Sequence, residues 1–282
     1  MKMNLKIALD KANMELKQNG IKSSLLDSEI LLSKAINQTR AFILLNLNEK
    51  IKNDNYHYYM KLIHKRKKGM PVAYLTGEKD FWKHKFIINE DVLIPRPETE
   101  LIIEQALKYF RYKSNINFLD IGVGSGCIIL SILKEKRNFF GTGIDLSDKC
   151  LNLSKINADK LRLKNRVKFF KSDVDNFNIG KYDLIISNPP YIKKLDLKYL
   201  DKDVIDYEPK MALNGGLEGL SEIRKVINKS SELIKKNGKL ILEIAFDQKK
   251  NVKELLKKKG FYVNNVVKDF ANHDRCIIST KL

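Results

Sequence analysis

The sequence predicts an α/β protein: a largely parallel, doubly wound sheet preceded by a small helical domain and a β-ribbon linker. Three observations carry this. From Asn117 onward, short apolar runs alternate with helical segments, the pattern of a sheet with helices on both faces. The first of these runs opens into a turn with three glycines, Gly122, Gly124 and Gly126, and a glycine turn between strand and helix lets a ligand approach the backbone. Residues 1 to about 70 carry helical spacing and few strand signals.

The elements follow in order. Asp27-Ser-Glu-Ile-Leu-Leu-Ser-Lys-Ala-Ile36 places Leu31, Leu32, Ala35 and Ile36 on one helical face, with Asp27 as its cap. Asn55–Arg66 is a second, aromatic-rich helix that Gly69 and Pro71 end. The helical domain is therefore assigned to residues 1–71. Residues 72–95 change character. Val72-Ala-Tyr-Leu75, Phe81-Trp82 and Phe86-Ile87-Ile88, broken by Gly77, read as an extended ribbon, with Trp82 as one of its packing residues. Ile94-Pro95-Arg96-Pro97-Glu98-Thr99-Glu100 is a stiff loop leading into a helix at about 99–110 and opening a third segment, 96–282. Strands are expected at 117–121, 139–145, 167–171, 182–187 and 239–244, with two more near 261–268 and 275–281, and Gly238 and Gly260 as helix stops.

Composition narrows the class. No apolar run reaches the roughly 18–20 residues that span a bilayer, and the opening Met1–Lys6 lacks the apolar region of a signal peptide. Cys127, Cys150 and Cys276 form no metal spacing and leave an odd count. The histidines, His57, His64, His84 and His273, show none either. No metal and no membrane partner are expected, and a reducing cytoplasm is the expected location. The formal net charge is +19, which favours acidic partners in general. The lysines are spread along the whole chain, however, so no stable nucleic-acid partner is expected, and the chain is read as a monomer.

Asn188-Pro189-Pro190-Tyr191 follows the run Tyr182–Ser187. It therefore lies at a strand's carboxyl end, where open α/β sheets place ligands. Asn-Pro also opens ordinary turns. Two prolines nevertheless fix a rigid loop, and the loop gathers an amide, free carbonyls and an aromatic face. Asn188 Oδ1 and the Pro189 carbonyl suit the two hydrogens of a planar –NH2 group, with Tyr191 packing on its plane. The chemistry to expect is alkylation of a weakly nucleophilic nitrogen.

Phe118-Leu-Asp-Ile-Gly-Val-Gly-Ser-Gly126 has G-x-G-x-G spacing, with Cys127 where a dinucleotide fingerprint wants a third small residue. This suits a ligand without phosphates. Asp145, at the tip of the second strand, is placed to accept both hydroxyls of a ribose. Asp173 is placed to accept an adenine amino hydrogen, and Val174 to cover the ring. A glycine turn, a ribose acid, an adenine edge and an Asn-Pro-Pro-Tyr loop together describe S-adenosylmethionine and an amine acceptor.

On these residues the chain resembles the Rossmann-like, seven-stranded methyltransferases, and within them the release factor glutamine methyltransferases (the PrmC/HemK family). The resemblance runs through Asp27–Leu32, Gly69-Met-Pro-Val-Ala-Tyr-Leu-Thr-Gly-Glu78, Phe81-Trp82, Val92–Glu100, Asp120–Gly126, Ser187–Tyr191 and Glu208–Leu220. It implies methyl transfer to the side-chain amide nitrogen of the glutamine in the Gly-Gly-Gln motif of class 1 peptide release factors. It carries cofactor contacts to Gly122, Val123, Gly124, Ser125, Gly126, Asp145, Val174 and Asn188. It carries substrate contacts to Asn188, Pro189, Pro190 and Tyr191, with Arg96, Pro97, Glu98 and Thr99 as pocket candidates. The sequence departs from relatives at Val174, often aromatic there, and at Ala245 and Asn272, often glycine there. Two other readings of the same residues stand beside it: an amino-methyltransferase acting on adenine or guanine, with which Asn-Pro-Pro-Tyr is shared, and a non-enzymatic S-adenosylmethionine-binding adaptor.

Overall fold

A computed structural model describes residues 3–282. The chain divides into two compact units. One runs to Glu78 and includes Asp201–Tyr207; the other comprises Lys79–Leu200 and Glu208–Leu282. Among the described residues no helix is long and apolar enough to cross a membrane.

The first unit is built from α1 (Leu5–Gln18), α2 (Ser24–Ile36), α3 (Arg40–Leu45), α4 (Asn53–Lys67) and α5 (Val72–Thr76). Its core is written in helical spacing: Leu5, Ala8, Leu9, Ala12 and Leu16 from α1 meet Leu31, Leu32 and Ala35 from α2 and Tyr59, Leu62 and Ile63 from α4. Asn4 caps α1 by accepting the Ile7 N–H at 2.8 Å. Asp27 does not cap α2, which starts earlier, at Ser24. Its buried carboxylate instead accepts Arg66 Nε at 2.7 Å and the Ser23 hydroxyl at 2.9 Å. Val72–Leu75, expected to be extended, is helical. Pro71 precedes it, Gly77 stops it at φ +74°, and the one-turn spacing lets Val72 and Leu75 share the helical core.

The ribbon is shorter than expected. β1 (Glu78–Phe81) and β2 (His84–Ile87) form a two-stranded sheet. Trp82 takes φ +55° at the turn, an unusual backbone for a bulky residue. Its N–H is held by Glu100 at 2.6 Å and its indole N–H by Glu135 at 2.8 Å.

In the second unit a 3₁₀ turn (Pro97–Thr99) leads into α6 (Glu100–Tyr109). Then follow β3 (Ile116–Ile121), α7 (Cys127–Glu135), β4 (Phe139–Asp145), α8 (Asp148–Lys160), β5 (Val167–Lys171) and β6 (Tyr182–Ser187). After α9 (Lys202–Tyr207), which belongs to the first unit, come α10 (Ser221–Leu233), β7 (Ile234–Glu243), α11 (Lys249–Lys258), β8 (Phe261–Lys268) and β9 (Asp274–Lys281). The seven strands lie in the order β5-β4-β3-β6-β7-β9-β8. All neighbours are parallel except β9, which runs antiparallel to β7 and β8. Gly238 does not stop a helix: α10 ends at Leu233, and Asn237-Gly238 form an irregular stretch of β7 opposite Tyr182–Leu184.

The strand order reverses beside β3, and there the register pairs Ile121 with Ser187. The glycine turn and the Asn-Pro-Pro-Tyr loop therefore leave the sheet side by side, at the switch point where such sheets bind ligands. On the flanks, Ile121 pairs with Ile144 and Ser187 with Leu242. This brings Asp145 and Glu243 to the same edge.

Candidate active site

Gly122, Gly124 and Gly126 take φ +79°, +53° and +80°, a region that side chains avoid. A Cβ on Gly122 or Gly124 would meet nothing within 4 Å, whereas one on Gly126 would press on Leu130 Cδ1 at 3.0 Å. The first two glycines thus face open space and the third packs against its helix. Val123 and Ser125 are buried, so they offer a ligand their backbone rather than their side chains. The turn is tied down from several sides. The N–H groups of Gly122 and Val123 donate to Ile144 O at 2.9 and 3.0 Å. Ser154 Oγ donates to Gly124 O at 2.8 Å, and Asn157 Nδ2 to Ser125 O at 2.9 Å.

Asp145 is oriented by the backbone. Its Oδ2 accepts Gly124 N–H and its Oδ1 accepts Ser147 N–H, both at 2.9 Å. Each oxygen keeps a lone pair for a further donor. Ser147 caps α8 through Cys150 N. Asp173 Oδ1 accepts Asp175 N–H at 2.9 Å, which fixes the turn bearing the buried Val174. Asp120, on β3 just before the glycines, is fully buried, and neither carboxylate oxygen has a hydrogen bond of normal geometry. Burial pushes its carboxyl up to about 8; the Ile129 N–H opposes the shift and the nearby Asp145 adds to it. An open glycine turn, with an acid at the next strand tip whose oxygens keep free lone pairs, fits a nucleoside-like ligand with hydroxyls to donate.

The loop after β6 supplies the second half. Asn188 Nδ2 donates to Thr99 Oγ1 at 3.2 Å. Among the described residues, no donor occupies Asn188 Oδ1. Pro189 is buried, and Pro190 is partly so. The Tyr191 hydroxyl donates to Glu243 Oε1 at 3.0 Å, and burial followed by the Glu243 charge raises its pKa. The phenol is therefore an anchored aromatic wall and no proton acceptor. Behind it, Gln248 Nε2 donates to Tyr191 O at 3.0 Å, and Gly215 N–H donates to Ile192 O at 2.8 Å. A Cβ at Gly215 would lie 2.8 Å from Pro190 O and Tyr191 Cα, so only glycine lets the two loops touch.

Comparison with known proteins shows the family. The family model described as the PrmC N-terminal domain matches residues 8–77, and the methyltransferase small domain matches 99–270. The release factor glutamine methyltransferase of Clostridium acetobutylicum is 36% identical over 282 residues, 99% of each chain. That of Caulobacter vibrioides is 33% identical, covering 100% of this chain and 98% of its own. The chain belongs to the release factor glutamine methyltransferase family. Solved structures bear out the fold. A methyltransferase from Pyrococcus furiosus matches at TM-score 0.52 and 19% identity over 79% of this chain and 97% of its own. A ribosomal protein L11 methylase from Lactobacillus delbrueckii subsp. bulgaricus matches at 0.51 and 15%, over 72% and 90%.

The family's pocket candidates fall into two groups. Pro97 and Glu98 are exposed on the 3₁₀ turn. Arg96 pairs with the buried Glu208, whose other oxygen accepts Ile94 N–H at 3.2 Å, so the guanidinium braces its own loop. Thr99 is buried and turned to Asn188. Sequence reading gave no role to Glu208, Gly215, Glu243 or Gln248, which brace the loops at the site, although Glu208 and Gly215 lie in the stretch Glu208–Leu220 that carries the resemblance. Glu243, an acid at the end of an apolar strand, left a local signal too. The departures from relatives are benign in the backbone: Asn272 takes the expected positive φ, +64°, while Ala245 stays out of that region.

Proposed function

We propose that this methyltransferase takes its methyl group from S-adenosylmethionine and places it on the side-chain amide nitrogen of the Gly-Gly-Gln glutamine of class 1 release factors. The observation that carries the reading is the Asn188 amide. Its N–H side is spent on Thr99, so its oxygen is the acceptor presented beside the glycine turn. The Pro189 backbone carbonyl is the second acceptor.

A carboxamide nitrogen shares its lone pair with its carbonyl and is a poor nucleophile. Two acceptors on its hydrogens orient it, and they bind it more strongly as positive charge develops. Tyr191 limits how the plane can tilt. When bound, S-adenosylmethionine supplies an already activated methyl, so the protein's work is alignment and electrostatics. The backbone at Gly122–Gly126 would lie against the cofactor, and Asp145 would accept its ribose hydroxyls. Asp173 and Val174 would flank the adenine.

The test is transfer of radiolabelled methyl to purified release factor, beside RNA and DNA. The reading expects label on the release factor glutamine. Label on nucleic acid alone would favour the amino-methyltransferase of adenine or guanine instead.

A further inference from the structure

The turn between β7 and α11 carries a glutamine that joins three segments at the site. Gln248 is the last residue before α11 and is almost fully buried. Its backbone N–H donates to Ala245 O, and its side-chain Oε1 accepts Ala245 N–H, both at 3.0 Å. The turn is closed on itself from two sides, which fixes where the other end of the amide points. There Nε2 donates to Tyr191 O at 3.0 Å and to Gly219 O at 2.9 Å. The first carbonyl ends the Asn188–Tyr191 loop. The second lies in the stretch that leads into α10.

The partners dictate the side chain. Two carbonyls need donors and one N–H needs an acceptor, and a carboxamide supplies all three from one planar group. An ionised carboxylate has no hydrogen to give, and an aliphatic chain offers neither. Without the NH2 group, both carbonyls would stand in a dry place with nothing in exchange for the water they lost. Gly219 is shaped for this approach. It takes φ +72°, and a Cβ there would strike Tyr191 O and stand 2.8 Å from Gln248 Nε2. Tyr191 is therefore held at both ends from one junction: its hydroxyl by Glu243, which closes β7, and its carbonyl by Gln248. The glycine turn takes no part, since its bonds run to Ile144, Asp145, Ser154 and Asn157.

We infer that Gln248 is a positioning residue for methyl transfer: it fixes the Asn188–Tyr191 loop in place over the site and leaves cofactor binding to the glycine turn. The kinetic consequence rests on the methyl-transfer reading given above; the anchoring of the loop rests on geometry alone.

Gln248→Met keeps the length and removes both donors and the acceptor. In the full chain, kcat on release factor should fall on the order of 10²-fold, the scale for a small misplacement at a reacting centre, with S-adenosylmethionine affinity and the KM for release factor held within about threefold. Wild-type kcat, or a loss carried by KM or by cofactor affinity instead, would overturn the inference. In an Asn188→Ala background Gln248→Met should cost far less, because a group it acts through is gone; an equal loss in both backgrounds would overturn it. Should the wild type not methylate release factor at all, the functional reading fails, and amide hydrogen exchange still decides the anchoring. The N–H groups of Ile192 and Gly215 close the neck of the loop on Leu213 O and Ile192 O. In Gln248→Met both should exchange at least about tenfold faster, with Gly124 N–H unchanged. Unchanged rates at the neck, or the same acceleration at Gly124, would overturn it. If Gln248→Met does not fold, the wild type decides alone. Both Nε2 hydrogens of Gln248 should exchange far more slowly than those of the exposed Gln38, and equal rates would overturn the inference.

Discussion

Asp145 Oδ2 accepts the backbone N–H of Gly124 at 2.9 Å, across 21 positions of sequence. The acid at the tip of β4 thus grips the turn that leaves β3, and the two halves of the proposed nucleoside site are built as one piece. Its second oxygen is tied to Ser147 N–H, so the carboxylate is preset for the remaining donors before any ligand arrives. Asp145→Ala should weaken S-adenosylmethionine by about ten- to a hundred-fold, from hydrogen bonds to a charged group worth roughly 1.5–3 kcal/mol. Calorimetric titration reads this directly. An unchanged affinity would remove Asp145 from the site.

Asp120 makes a pH prediction. Its carboxyl is raised by burial to about 8. Between the ordinary carboxylate range and that value, the folded protein keeps a proton that the unfolded chain has released, so this group makes stability fall as pH rises through that window. Below the window both states are protonated and the contribution is complete; above about 8 it is lost. Asp120→Asn does not titrate and resembles the protonated acid. Urea midpoints at pH 5 and pH 8, without cofactor, should therefore fall less for Asp120→Asn than for the wild type. Parallel falls would show that Asp120 is ionised in the folded protein.

Gly215 tests the contact between the two loops. The Cβ of Gly215→Ala would stand 2.8 Å from Pro190 O and Tyr191 Cα. The Asn-Pro-Pro-Tyr loop must shift, at an overpacking cost of roughly 1–3 kcal/mol. Turnover should fall while S-adenosylmethionine affinity stays within about threefold, because the glycine turn is held by other bonds. A variant with unchanged turnover would show that the loop tolerates displacement.

The fold was legible because its signals are local. Short apolar runs mark the strands, and the helical spacing of Leu31, Leu32 and Ala35 marks a core face that the structure buries. Val72–Leu75 misled because four residues rich in β-formers carry too little periodicity to tell a turn of helix from a strand. Asp27 misled because an acid in the first helical turn and an acid at the cap look alike until Arg66 is seen beside it. The candidate site was legible where a motif is contiguous, as at Gly122–Gly126 and Asn188–Tyr191. Its supports were not. Thr99 and Asn188 are 89 positions apart, Tyr191 and Glu243 are 52 apart, and Arg96 and Glu208 are 112 apart. Only the tertiary fold brings such pairs together.

The helical unit offers a prediction about docking. Its buried residues form a core of their own, all between Leu5 and Leu75, while the sheet unit has a separate one. We propose that the helical unit supplies remote contacts to a folded release factor, and that this binding energy positions the glutamine. A chain beginning at Lys79 should give the circular dichroism of a folded α/β domain and bind S-adenosylmethionine but methylate release factor far more slowly. A folded truncation working at the full-length rate would sink the docking role. Loss of both fold and cofactor binding would make the helical unit a stabiliser instead.

The central claim is that Asn188 holds the amide nitrogen that receives the methyl. Its most direct test is mass spectrometry of the release factor Gly-Gly-Gln peptide after single turnovers with S-adenosylmethionine, comparing wild type with Asn188→Ala under saturating conditions. The account predicts one methyl on the glutamine side chain with the wild type, and a rate lower by on the order of 10²–10³ with Asn188→Ala at unchanged fold, the scale for one preorganised transition-state partner. A glutamine left unmodified by the wild type, or modified at the same rate by Asn188→Ala, would contradict it.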